Sequence, residues 1–258
     1  MVERYSLSSL DGVAATFGGV LGEDVTPRFN IAPLQRAPIR TAGGLMLARW
    51  GLLPPWRGHG GKRGPHVPHA PIDALDGTVL LRNAFKRQRC LVVADGFFVW
   101  RRAGKRPQPI WIHPAPAGSG RTRAVGLAGI AATNKDDRVL SFALLVGPAG
   151  PLVASALATG DATDDATGRA PGGAISGALG GAIGDAVGRA PGALAPFVVP
   201  AERFTAWLDG PREAALALLV PPEAGWRAEP VSTWVNSVEH DDARCVEPLG
   251  NPAQGELF

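Results

Sequence analysis

Sulfur is scarce in this sequence. Its 258 residues hold two cysteines, Cys90 and Cys245, with no Cys-x-x-Cys pair, and the five histidines are scattered. Metal-ligating clusters need closely spaced Cys or His, so neither a metal site nor a cofactor is expected. Two cysteines do not make a disulfide framework, which points to a reducing, cytoplasmic setting. Long apolar runs are missing too: none approaches the ~18 residues of a membrane span. The opening Met1-Val2-Glu3-Arg4-Tyr5-Ser6 lacks the apolar stretch of a signal peptide. What remains is 45% hydrophobic and 19% charged, the balance of a globular chain long enough to bury a sizeable core.

Charge is modest in sum, +3, but uneven. Between Arg49 and Arg106 stand twelve Lys/Arg against three acids, leaving a net of −6 for the rest of the chain. Such asymmetry suits a polyanion-facing surface, although a solvated basic face gives the same count. Trp50, Trp56, Phe85, Phe97, Phe98 and Trp100 interleave with these cations. Flat apolar rings beside basic groups are what an unstacked single strand needs, with Phe97 and Trp100 the better candidates for core.

The stretch Arg89 to Arg102 reads as two short strands about an Asp95-Gly96 hairpin turn, because β-branched and aromatic residues favour strands and Asp-Gly favours the turn. Before it, Leu7, Leu10, Val13, Ala14 and Phe17 recur at roughly helical spacing. Pro33 breaks that pattern, and Leu45 to Gly51 reads as a strand. Leu53-Pro-Pro-Trp56 is rigid, and Gly58 to Pro71 is a loop. Gln108 to His113, Val125 to Ala132 and Phe142 to Val146 follow as strands. Pro151 to Leu157, Ala201 to Leu208 and Pro211 to Leu219 read as helices, and Val231 to Val235 as a last strand.

Residues 159–194 are different. Ten glycines fall between Gly160 and Gly192, with no aromatic and no lysine, and Gly168-Arg-Ala-Pro171 recurs as Gly188-Arg-Ala-Pro191. This composition buries too little apolar area to offset the entropy of ordering it. It is expected to be a flexible insertion within one domain, residues 1–249, ahead of a disordered tail at 250–258.

In this order the features resemble the SOS response-associated peptidase (SRAP) family of abasic-site processing proteins. The family's Met-Cys-Gly-Arg opening is matched by Met1-Val2-Glu3-Arg4-Tyr5, and its later elements by Phe29-Asn30-Ile31-Ala32-Pro33 and Trp50-Gly51-Leu52-Leu53-Pro54-Pro55-Trp56. The strongest match is Arg89-Cys90-Leu91-Val92-Val93-Ala94-Asp95-Gly96-Phe97-Phe98-Val99-Trp100, and Val231-Ser232-Thr233-Trp234-Val235-Asn236 follows near the end. The resemblance implies an α+β single domain, with antiparallel strands in a barrel-like core and flanking helices. It also implies work in the DNA-damage response on single-stranded, abasic DNA, by covalent cross-linking with peptidase/lyase-type chemistry. A terminal cysteine would close a thiazolidine on the sugar aldehyde, an asparagine would position the sugar, and a glutamate and a histidine would move protons.

Carried over residue by residue, these positions hold other groups. Val2 replaces the cysteine, His69 the asparagine, Pro71 an arginine and Val99 the glutamate. The histidine falls at Leu157 or Gly192, or, through the repeats, at Thr167 or Val187; no histidine lies between Pro114 and Glu239. Valine supplies no sulfur, so this copy is expected to lack the stable cross-link, and reversible imine formation by a Val2 α-amine is the residual chemistry. Cys90, in a core strand, is expected to be inert. His69 is either a loop histidine or a substitute proton carrier. DNA-binding candidates are Arg4, Trp50, Trp56, Lys62, Arg63, Arg82 and Arg89. The partner is then single-stranded DNA, possibly abasic, in the cytoplasm or at the nucleoid; the alternatives are a non-enzymatic module for plain single strands or a protein, or a decaying paralogue.

Overall fold

The protein, seen as a computed structural model, is described over residues 2–54, 66–102, 107–116, 123–134, 138–158 and 193–250. Its centre is a ring of five strands: β3 (Arg36–Thr41), β4 (Gly44–Trp50), β6 (Arg89–Ala94), β9 (Val125–Thr133) and β10 (Leu140–Pro148). β4 pairs with β3, β3 with β6, β6 with β9 and β9 with β10, all antiparallel. β10 then joins β4, and this closing pair is parallel, with Phe142 beside Trp50. The barrel-like core expected from the resemblance is therefore present, with this parallel seam as a departure. All six residues of β6 are buried, which is why the strand reads as a continuous apolar run rather than an alternation. β10 also carries β11 (Leu194–Pro196) and the short parallel β5 (His69–Pro71), while β9 carries β12 (Val198–Val199).

A second, antiparallel sheet runs in the order β13 (Trp226–Pro230), β8 (Gln108–Pro114), β7 (Gly96–Arg101), β1 (Arg4–Leu7), β2 (Arg28–Ile31). Five α-helices flank the sheets among the described residues: α1 (Val13–Phe17), α2 (Val79–Arg87), α3 (Pro151–Leu157), α4 (Phe204–Asp209) and α5 (Arg212–Leu216). α2 and α4 pack on β6, and α3 lies against β7 and β13.

The expected hairpin about Asp95-Gly96 is overturned. β6 and β7 do not pair; they belong to different sheets, and Asp95 is the corner between them. Asp95 is fully buried, its Oδ1 accepting from Ser6 Oγ at 2.6 Å and its Oδ2 from the Ser8 amide and hydroxyl at 2.5 Å each. Gly96 is needed for space rather than for a left-handed turn: a Cβ there would lie 2.3 Å from Trp111 Nε1.

Other expectations shift. The early helical pattern is divided between strand β1 and the one-turn α1, so Leu7 sits in a sheet. Val231 to Val235 is not a strand; β13 precedes it, and Thr233–Asn236 forms a 3₁₀ turn capped by Ser232. The helix expected over Pro211 to Leu219 is shorter, Arg212–Leu216. The glycine-rich insertion, expected at about 159–194, lies largely outside the described residues; at its end Leu194 is buried and pairs with Pro148.

Candidate functional site

The matched positions converge where β1 meets β7. The register is Arg4 opposite Phe98, Tyr5 opposite Phe97 and Ser6 opposite Gly96. Continued by one residue, it sets Glu3 level with Val99, and residues directly opposite share a face of the sheet. Val2 and Val99 are both buried in the main core. His69 comes from the far side: β5 is held on β10 with His69 beside Leu144, and the Leu144 amide donates to Pro68 O at 3.0 Å. Trp50 connects the two sides, with Tyr5 edge-on at 5.1 Å and His69 edge-on at 5.8 Å.

Burial sets the electrostatics here. His69 is 5% exposed, and its Nε2 has no hydrogen-bond partner. Burial, and next the positive amino terminus, push its pKa down to about 4, against a hydrogen bond with the Val2 backbone that favours the proton. The imidazole is therefore neutral at pH 7. Glu3 moves the other way: burial raises its carboxyl, with Arg4 and the amino terminus opposing. Burial thus favours the uncharged form of each group, the carboxylic acid at Glu3 and the neutral imidazole at His69. Neither Val2 nor Val99 offers a side-chain nucleophile. Cys90 lies fully buried in β6, where burial pushes its thiol up, so it matches the inert reading.

Two expected DNA contacts are corrected. Trp50 is fully buried, stacks on Phe142 at 6.5 Å and donates its Nε1–H to Pro68 O at 2.9 Å, leaving no face for a base. Arg89 is 8% exposed and its guanidinium serves backbone carbonyls: Trp207 O at 2.5 Å, Phe85 O at 3.2 Å, Leu208 O at 3.3 Å and Gly210 O. Arg82 is exposed on α2. Arg4 is half-buried, donates to Glu3 O at 2.8 Å, and keeps a buried Nε without a partner. Leu157 ends α3, packed against the core, and brings no titratable group. His69 is in a strand, not a loop. Trp56, Lys62, Arg63, Gly192, Thr167 and Val187 lie outside the described residues.

The remaining signature residues are clamps. Asn30 Nδ2 donates to the carbonyls of Ser237 (2.8 Å) and His240 (2.7 Å), and Trp100 Nε1 donates to Asn236 Oδ1 at 2.8 Å. They tie the chain's last fifth to β2 and β7, which explains why motifs so far apart in sequence belong to one unit. Sequence reasoning missed Glu3, whose facing position only the register reveals. Lys86 and Arg87 belong to the basic run from Arg82 to Arg89, whereas Arg212, distant in sequence, was missed.

The family model for the SOS response associated peptidase (SRAP) matches residues 1–157, and that span contains all five ring strands. The abasic site processing protein YoaM of Bacillus subtilis is 33% identical over 84 residues, which cover 30% of this chain and 35% of that protein. The abasic site processing protein HMCES of Gallus gallus is 27% identical over 228 residues, covering 80% and 57%. The chain thus spans about a third and somewhat over half of these two relatives. A solved structure from Bacteroides thetaiotaomicron superposes with a TM-score of 0.64 at 17% identity, covering 95% of this chain and 99% of its own, a likeness of fold. With most of its length matched by the family model and the corresponding motifs brought together in space, the chain belongs to the SOS response associated peptidase (SRAP) family.

Proposed function

We propose that this protein recognises abasic sites in single-stranded DNA, as part of the DNA-damage (SOS) response, without forming the stable thiazolidine cross-link. The support for recognition is kinship with proteins named for abasic-site processing, together with an unevenly basic chain. The support for a missing cross-link is one observation: the residue whose backbone bonds His69 is Val2, and its buried side chain is an isopropyl group. Thiazolidine formation needs an amine to condense with the sugar aldehyde, losing water, and a thiol to add across the resulting C=N bond. Val2 supplies no sulfur for the second step. Action in the cytoplasm, at the nucleoid when DNA-bound, is part of the same reading.

Incubation of purified protein with an abasic single-stranded oligonucleotide, followed by heating and denaturing electrophoresis, tests it. Tighter binding to the abasic strand than to the intact strand, with no heat-stable adduct, is the expected result. A heat-stable adduct overturns the missing cross-link. Equal affinity for both strands favours a plain single-strand binder on the inherited scaffold, and no affinity favours a protein partner.

A further inference from the structure

α2, the end of α4 and the start of α5 enclose a cleft of about 650 Å³, lined by Arg82, Phe85, Lys86, Arg87, Arg89 and Arg212 and also by Asp76 and Asp209. Five cations face two carboxylates there. Two helix C-termini converge on this cleft, and their free carbonyls would ordinarily present partial negative charge. Arg89 removes that obstacle. It is buried among those carbonyls, bonded to Phe85 O of α2 and to Trp207 O and Leu208 O of α4, and its guanidinium lies 5.4 Å from the Phe85 ring. Arg212 lies 5.1 Å from the same ring and pairs with Asp76 at 2.8 Å. Arg82, Lys86 and Arg87 are left exposed, with no ion pair or hydrogen bond among the described residues. Arg82 and Lys86 are one helical turn apart and share a face, with Arg87 beside them.

We propose that this cleft is a second DNA site, which takes the phosphate backbone of the single strand continuing from the candidate functional site. Phosphates are the favoured occupant because the free groups are cations, while Phe85, the one ring lining the cleft, is fully buried beneath arginines and offers no face to a base. Contact is therefore with backbone and indifferent to sequence. The site is also within reach: Asp76, in the cleft lining, follows His69 by seven residues, at most about 25 Å of extended chain. A single strand of several nucleotides spans that gap. The inference rests on the DNA reading above for its occupant, but not on abasic preference.

The test is a salt titration of binding to a 20-nucleotide strand and to a 5-nucleotide strand, both centred on an abasic site. Wild type is compared with R82Q/K86Q/R87Q, whose exposed substitutions retain helix propensity. Loss of three phosphate contacts lowers the slope of log K against log[salt] by about 2 for single strands. The variant is therefore expected to bind the long strand roughly 100-fold more weakly at 0.1 M salt, and the short strand unchanged. Equal slopes for variant and wild type on the long strand overturn the cleft, even where the abasic preference persists. A reduced slope together with equal wild-type affinity for an abasic and an intact 20-nucleotide strand supports the cleft while removing abasic recognition. Tighter capture of a polyglutamate probe than of DNA, lost in the variant, overturns the assignment to nucleic acid.

Discussion

Asp95 and Val99 lie four residues apart in one buried stretch, and the two regions they serve have been treated differently. At the Asp95 corner the carboxylate keeps its partners, Ser6 and Ser8, and burial raises its pKa while those hydrogen bonds oppose the rise. At the candidate site His69 is held unprotonated, and Glu3, just ahead of β1, stands level with Val99. The corner turns the chain from ring to sheet, so its polar groups are fixed by the fold. At the candidate site, by contrast, the buried side chains of Val2 and Val99 are apolar and belong to the main core.

That comparison can be broken in four ways. The largest effect is expected of Asp95→Ala, which strands the buried Ser6 hydroxyl and the half-buried Ser8 donors and should cost about 4 kcal/mol in urea unfolding. A loss under 1 kcal/mol would mean the corner does not depend on its acid. Next is the pH dependence of His69. Its pKa falls from 6.5 unfolded to about 4 folded, so its stability is fully present above pH 6.5 and is lost as pH falls towards 4. A shift of that size corresponds to about 3 kcal/mol. The stability of wild type relative to H69N should therefore drop by about that amount between pH 7 and pH 4; parallel curves would show that the imidazole is not buried neutral. Third, Val99→Glu places an acid at a dry position level with Glu3 and should cost about 2 kcal/mol at pH 7. No cost would mean that the site still accommodates charge. The smallest effect belongs to Ser8→Ala, about 1.5 kcal/mol, because the Ser8 amide still donates to Asp95. A loss equal to that of D95A would place the whole corner on one hydroxyl.

Three strands of the ring were legible because both their faces are buried: β6, β9 and β10 announce themselves as apolar runs, whereas β3, with an exposed Arg36 and a half-buried Arg40, went unread. The corner was not. Asp-Gly is a local signal, and nothing local says that β7 will pair with β1, some ninety residues upstream, instead of with β6. α2 was overlooked beneath its charge: its apolar residues Leu80, Leu81, Ala84 and Phe85 are interleaved with basic ones, although Thr78, whose Oγ1 accepts from the Leu81 amide, marks its start. Trp50 and Arg89 were misjudged for one reason: residue type suggests what a side chain can bind, but not whether neighbours already bind it. The replaced site positions were read by alignment with family motifs, whereas the position of Glu3 across from Val99 depends on strand pairing.

The closing seam of the ring has a consequence in time as well as space. Trp50 can lie beside Phe142 only after about ninety intervening residues have been collected, so this pairing carries a large loop-closure cost. Chains dominated by such distant contacts fold slowly, and β10 must arrive before β5, and with it His69, has a partner to lie on. On a ribosome the ring would stay open until β10 had emerged. The candidate site would then assemble only after more than half of the chain had been made, although Val2 and Glu3 are among its first residues.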